Sequence, residues 1–66
     1  MVNVNYHQYP PRLMKAADAA QYLGISVRML SNLVAQSEIP RKQVESMKLF
    51  DREDLDEYAN GLEEAE

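Results

Sequence analysis

The side chains best suited to recognition through hydrogen bonds lie between positions 27 and 32. Arg28 and Asn32 are four residues apart, so on a helix they share one face, with Val27 and Ser31 beside them. In the major groove of DNA, a guanidinium matches guanine and a carboxamide matches adenine. Many exposed helices carry an Arg and an Asn, however. The interpretation as a base-reading face therefore depends on the elements that position it.

Two short helices joined by a tight turn are predicted around this face. The first should run over Ala16–Leu23, with Gly24 ending it, and the second from Val27 to about Gln36, with Ser26 as its cap. Lys15, at the expected cap position of the first helix, is a poor cap. The apolar positions that recur at helical spacing, and should be buried, are Ala16, Ala19, Ala20, Leu23, Leu30, Leu33 and Val34. This pattern is typical of the helix-turn-helix, whose second helix can enter the major groove.

A small β-hairpin is predicted after the second helix. Residues 41–44 and 47–50 read as two short strands joined at Glu45-Ser46, and Val44 and Phe50 are expected to point inward. The hairpin carries three basic side chains, which are candidates for contacts with DNA phosphates: Arg41, Lys42 and Lys48. Lys15, at the start of the first helix, is a further phosphate candidate.

The two ends of the chain differ in character. Residues 1–13 contain a double proline and no helical period, which predicts a flexible arm in which Tyr6 and Tyr9 cover an apolar edge. Residues 14–60 form the expected domain, and residues 61–66 a short acidic tail. The last helix of the domain should begin after Asp51, which caps it, and should end near Gly61. The apolar face expected for this helix comprises Leu55, Tyr58, Ala59 and Leu62.

Charge is distributed unevenly along the 66 residues. Residues 1–50 carry a net charge of +3 and residues 51–66 a net charge of −7, for a total of −4. Such asymmetry is typical of a nucleic-acid-binding body with an acidic tail, but a well-solvated last helix explains it equally well. No cysteine is present, and the single histidine, His7, has no partner motif. We therefore expect no catalytic residues, no metal and no cofactor, and a cytoplasmic, nucleoid-associated protein without a membrane span.

The order of these parts resembles the excisionase-like DNA-binding proteins, which share a MerR-like winged helix-turn-helix. The resemblance covers about residues 14–59 and rests on three segments in order: Ala19–Ser26 (AAQYLGIS), Ile39-Pro40, and Phe50–Asp56 (FDREDLD). It implies a mainly α fold with a small β-hairpin, the wing, and non-catalytic binding of double-stranded DNA. It further implies a phage or mobile-element excisionase acting with an integrase or recombinase, or a small transcriptional regulator with a transcription partner.

This chain departs from the family pattern where basic residues are usual. The second helix offers only Arg28, and Ser37-Glu38 replaces the common glycine and lysine before Ile39-Pro40. We therefore expect weak binding by a single copy and cooperative self-association on DNA. The alternative is a protein-interaction module on the same fold, favoured by the thinly charged helix and by three apolar side chains expected to point outward: Met29, Met47 and Leu49.

Overall fold

Three helices and three strands follow one another within residues 10–65, the part of the chain that the computed structural model describes. The elements are β1 (Leu13–Met14), α1 (Ala16–Leu23), α2 (Val27–Ala35), β2 (Lys42–Val44), β3 (Met47–Asp51) and α3 (Arg52–Asn60). The predicted fold class, mainly α with a small β-hairpin in a winged helix-turn-helix arrangement, is confirmed. The arm residues Tyr6, His7 and Tyr9 lie outside the described range.

The turn between α1 and α2 follows from local signals. Gly24 adopts a left-handed φ of 76°, which glycine reaches without steric cost. The N–H of Gly24 donates to the Gln21 carbonyl at 3.1 Å, and that of Ile25 to the Ala20 carbonyl at 2.9 Å, which closes the last turn of α1. Ser26 then caps α2, since its Oγ accepts a hydrogen bond from the Met29 N–H at 3.0 Å. Both predictions for this turn are confirmed.

The strands form one antiparallel sheet in the order β1-β3-β2. The predicted hairpin is present as β2 and β3, and Lys42 pairs with Leu49, Gln43 with Lys48, and Val44 with Met47. Strand β1 was not predicted, because a two-residue strand has no alternation to detect. It pairs Leu13 with Asp51 and Met14 with Phe50. The folded body thus begins before residue 14, and Leu13 belongs to it.

A single apolar core lies between the helices and one face of the sheet. Its buried members come from every helix, from the strands β1 and β3, and from the segment between α2 and β2: Met14, Ala19, Ala20, Leu30, Ile39, Phe50 and Leu55. The small side chains of Ala19 and Ala20 let α1 pack closely on its neighbours. Ala16, Leu23, Leu33 and Val34, also expected inside, are partly buried against this cluster.

Two expectations of buried apolar residues were wrong. Val44 is 41% exposed. It pairs with Met47, which is three residues from Phe50 and therefore lies on the face of β3 opposite to the one from which Phe50 enters the core. Ala59 and Leu62 are also exposed, and only Leu55 and, partly, Tyr58 of the predicted face pack on the core. Leu62 lies beyond the end of α3, which Gly61 caps as predicted.

Candidate nucleic-acid interface

The first two turns of α2 present the predicted base-reading residues to solvent. Val27, Arg28, Ser31 and Asn32 are all exposed, while Leu30 between them is buried in the core. The rotation of the helix is fixed by its inward face, where Leu30 is buried and Leu33 and Val34 pack against the core. The four candidate side chains therefore lie together on the side of α2 that faces away from the core.

A groove separates α2 from the wing, the hairpin formed by β2 and β3. Leu30, Ser31, Val34 and Ala35 line it from α2, and Arg41, Lys48 and Phe50 from the other side, with Ala16 of α1 at its edge. The structure thus brings Ser31 together with two of the phosphate candidates. Lys15 is exposed and directly precedes Ala16. It makes no side-chain cap for α1, as its residue type predicts.

Lys42 is separated from the other two wing cations. In the register of the hairpin, Lys48 pairs with Gln43, and both lie on the face of Phe50, whereas Lys42 pairs with Leu49 on the opposite face. The Lys42 Nζ lies 2.9 Å from Asp51 Oδ2 and 3.9 Å from Asp54 Oδ2. Arg41 and Lys48 make no ion pair within 4.0 Å among residues 10–65, so the three basic side chains do not form one cluster.

Asp51 is the most highly connected polar side chain in residues 10–65. It is 3% exposed and accepts two hydrogen bonds from Arg12, from Nε at 2.7 Å and from Nη2 at 3.1 Å. It also accepts one from Lys42 Nζ and one from the Glu53 N–H, both at 2.9 Å, and through the latter caps α3 as predicted. These hydrogen bonds, of which those from Arg12 have the largest effect, hold the pKa of the Asp51 carboxyl well below its usual range. They also raise the pKa of Arg12 and of Lys42.

Comparison with known protein families decides the nature of this arrangement. Residues 13–62, from β1 to just beyond α3, match the model of a family described as a helix-turn-helix domain. The chain belongs to that family. The expected membership of a helix-turn-helix DNA-binding family is therefore confirmed. No curated protein and no solved structure matches the chain significantly.

Four acidic side chains of this helix-turn-helix protein lie on α3, namely Glu53, Asp54, Asp56 and Glu57. A second depression, lined by Glu38, Asp54 and Glu57 among others, shares no residue with the groove between α2 and the wing. The Tyr22 hydroxyl donates to Asp56 Oδ1 at 2.5 Å, which ties α3 to α1 and raises the pKa of Tyr22. This acidic depression and the groove lined by Arg41 and Lys48 are therefore separate surfaces.

Two ion-pairing residues were missed by sequence reasoning. Arg12 was assigned to the flexible arm, and Lys42 to DNA contact alone. Each binds Asp51, at separations of 39 and 9 positions along the chain. No local pattern marks an ion pair between such distant positions; the only available signal was Asp51 itself, recognised as a cap. Within residues 10–65, no helix is long and apolar enough to span a membrane.

Proposed function

We propose that this helix-turn-helix protein binds double-stranded DNA with sequence preference, placing the first half of α2 in the major groove and the wing on the adjacent backbone. The observation that carries the proposal is the groove in which Ser31 of α2 meets Arg41 and Lys48 of the wing. Family membership supports the same ligand. The protein acts without catalysis, metal or cofactor.

Base recognition falls to α2. Arg28 suits the O6 and N7 atoms of guanine, and Asn32 suits the N6 and N7 atoms of adenine, because both offer paired hydrogen bonds. Ser31 accepts or donates to either, and Val27 offers an apolar contact to a thymine methyl. All four side chains are exposed in the free protein, so binding requires no rearrangement of the core.

Backbone contact falls to Arg41 and Lys48, which line the groove, and to the exposed Lys15, which directly precedes Ala16. Each neutralised phosphate contributes about −0.9 to the slope of log affinity against log salt concentration, so three contacts give a slope of about −3. A protein with so shallow a slope binds weakly as a single copy. We therefore infer cooperative binding of several copies, or binding together with an integrase, a recombinase or a transcription partner.

Within this class, the proposed role is that of a phage or mobile-element excisionase, which directs recombination, or a small transcriptional regulator. A nucleoid-associated, cytoplasmic protein follows from either role. The resemblance in segments Ala19–Ser26 and Phe50–Asp56 supports the excisionase-like assignment. The acids on α3, outside the groove, remain accessible to a protein partner when DNA is bound.

A protein-interaction module is the second candidate function. Met29 and Met47 are 50% and 46% exposed, as that alternative expects. Leu49, which was expected to point outward, is only 8% exposed and does not contribute. The alternative therefore rests on these two methionines, which lie at separate places, and on the thinly charged outward face of α2.

Fluorescence anisotropy with a labelled mixed-sequence duplex tests the proposed function. We expect wild-type binding at low salt with a slope of about −3, and a slope less negative by about 1.8 in the double variant R41M/K48M. R52M is the control for charge loss outside the groove, because it removes one positive charge from α3 and should keep the wild-type slope. Absence of wild-type binding at low salt, or equal slopes for both variants, would favour the interaction module.

A further inference from the structure

We propose that Lys42 is a positioning residue, which holds the wing in place through Asp51 and does not contact DNA phosphates. The inference rests on the proposed function, since the wing it positions is the proposed backbone-binding element. It divides the three basic residues of the wing into two classes. Arg41 and Lys48 face the groove, and Lys42 binds the body of the domain.

The surroundings of Lys42 contain two carboxylates. Its ammonium donates to Asp51 Oδ2 at 2.9 Å and lies 3.9 Å from Asp54 Oδ2. Asp54 Oδ2 is buried and accepts no hydrogen bond within residues 10–65. Among the described residues, the Lys42 ammonium is the positive group within ion-pair distance of this oxygen. A phosphate bound by Lys42 would compete with both carboxylates.

Withdrawal of Lys42 toward DNA would leave Asp51 short of a partner. Asp51 is almost fully buried and would keep its hydrogen bonds from Arg12 and the Glu53 N–H, but the loss of one of its two counter-charges is unfavourable for a buried carboxylate. Lys48, by contrast, makes no ion pair within 4.0 Å among the described residues and lies on the groove side of β3. Of these two lysines, only Lys48 is therefore available to a phosphate without breaking an internal contact.

The position of Lys42 in the sheet explains what its ion pair achieves. Strand β2 is an edge strand that pairs only with β3, over three residue pairs. A two-stranded hairpin is marginally stable in water on its own. Asp51 stands where β3 meets α3, so its bond to Lys42 fixes the free edge of the wing to the body. That bond sets the angle at which Arg41 and Lys48 face α2.

Three variants separate a positioning role from a phosphate contact: K42M, K48M as the matched lysine, and D51N. Asparagine caps helices as well as aspartate does, so D51N keeps the cap of α3 while it removes the carboxylate charge. Anisotropy with the same mixed-sequence duplex should give K48M a slope less negative by about 0.9. K42M should bind about 3- to 10-fold more weakly at every salt concentration with the wild-type slope.

D51N provides the decisive comparison. If Lys42 acts through Asp51, D51N weakens binding like K42M, and the double variant K42M/D51N is no weaker than the weaker single variant. If Lys42 instead contacts DNA, D51N releases it and tightens binding. Tighter binding by D51N would overturn the inference. So would a K42M salt slope that becomes less negative by as much as the K48M slope, or a K42M affinity equal to that of the wild type.

A measurement without DNA keeps this inference distinct from the proposed function. In ¹⁵N relaxation experiments on the free protein, K42M and D51N should raise the mobility of the wing amides, residues 42–49, and leave those of α2 unchanged. K48M should leave both unchanged. Wing mobility that is the same in all four proteins would overturn the positioning role, whereas failure of the wild type to bind DNA would overturn only the proposed function.

Discussion

Arg12 and Asp51 form a two-point ion pair across 39 positions of the chain, with the guanidinium Nε 2.7 Å from one carboxylate oxygen and Nη2 3.1 Å from the other. The bond joins the residue before β1 to the residue that ends β3 and caps α3. The Arg52 N–H donates to the Arg12 carbonyl at 2.7 Å in the same place. Strand β1, the wing and α3 are thus held together at one point.

Replacement of Asp51 by asparagine should destabilise the domain in a pH-dependent way. Folding lowers the pKa of Asp51, so its contribution is fully present above about pH 5 and declines as the pH falls through about 4 toward 2. Since the cap is retained, we expect a Tm about 5–10 °C below wild type at pH 7. Circular dichroism melts from pH 7 to pH 2 measure the difference, which should shrink with acidity. A difference that stays constant over this range would contradict the ion-pair account.

Replacement of Ser37 by glycine should stabilise the domain. Ser37 has a left-handed φ of 62°, and it follows α2 in the same way that Gly24 follows α1. The Ser37 N–H donates to the Val34 carbonyl at 3.0 Å, as the Gly24 N–H does to the Gln21 carbonyl. Ser37 therefore occupies a helix-end position at which glycine is favoured. Relief of the left-handed strain should raise the free energy of unfolding by about 0.5–1 kcal/mol.

The controls for Ser37 use the same chain. S37A keeps the strain and should give no gain. G24A should cost about 1 kcal/mol, because a Cβ at Gly24 meets nothing within 4 Å and only the backbone conformation is penalised. Chemical denaturation measures all three variants. A stabilising S37A, or a neutral G24A, would show that the backbone conformation is not the cause.

The tip of the wing carries a second strained residue. Glu45 has a φ of 56°, and its carbonyl accepts a hydrogen bond from Gln43 Nε2 at 2.8 Å, which holds the turn closed. We expect E45G to raise the free energy of unfolding by about 0.5–1 kcal/mol in urea denaturation. S46G, at the neighbouring turn position without a positive φ, should not stabilise. Equal gains from both variants would contradict the strain.

The parts of the fold that the sequence predicts well are those with signals within a few residues. Gly24 and Ser26 define the turn, and the cap Asp51 defines the start of α3, because the groups that satisfy each helix end lie nearby in the chain. The register of the hairpin was also accessible, since its turn is short. From these signals, the first half of α2 could be identified as the candidate site.

The remaining features depend on contacts between distant residues. One error did not have this cause: the two-residue turn already pairs Val44 with Met47, three residues from Phe50, so Val44 and Phe50 could not both point inward. Lys42 was grouped with Lys48 because both are basic, although the same register places them on opposite faces. Its partner Asp51 became evident only when the sheet joined β2 to the start of α3.

Arg28 and Lys48 should differ in how their loss affects DNA binding. We expect R28A to reduce discrimination at one base pair of the preferred site by about 1–3 kcal/mol and to leave binding of unrelated duplexes almost unchanged. K48A should weaken binding to all duplexes by a similar factor. Selection from a random duplex pool, followed by anisotropy on single-base variants, measures both. If R28A weakened every duplex equally, Arg28 would be a phosphate contact and not a base reader.

The most direct test of the central claim is an NMR titration of the ¹⁵N-labelled protein with a short duplex at low salt. Our account predicts that the largest amide shifts fall on the first half of α2, around Arg28 to Asn32, and on the wing around Arg41 and Lys48, with small shifts on the acidic face of α3. Shifts concentrated on α3, or no shifts at saturating duplex, would contradict it.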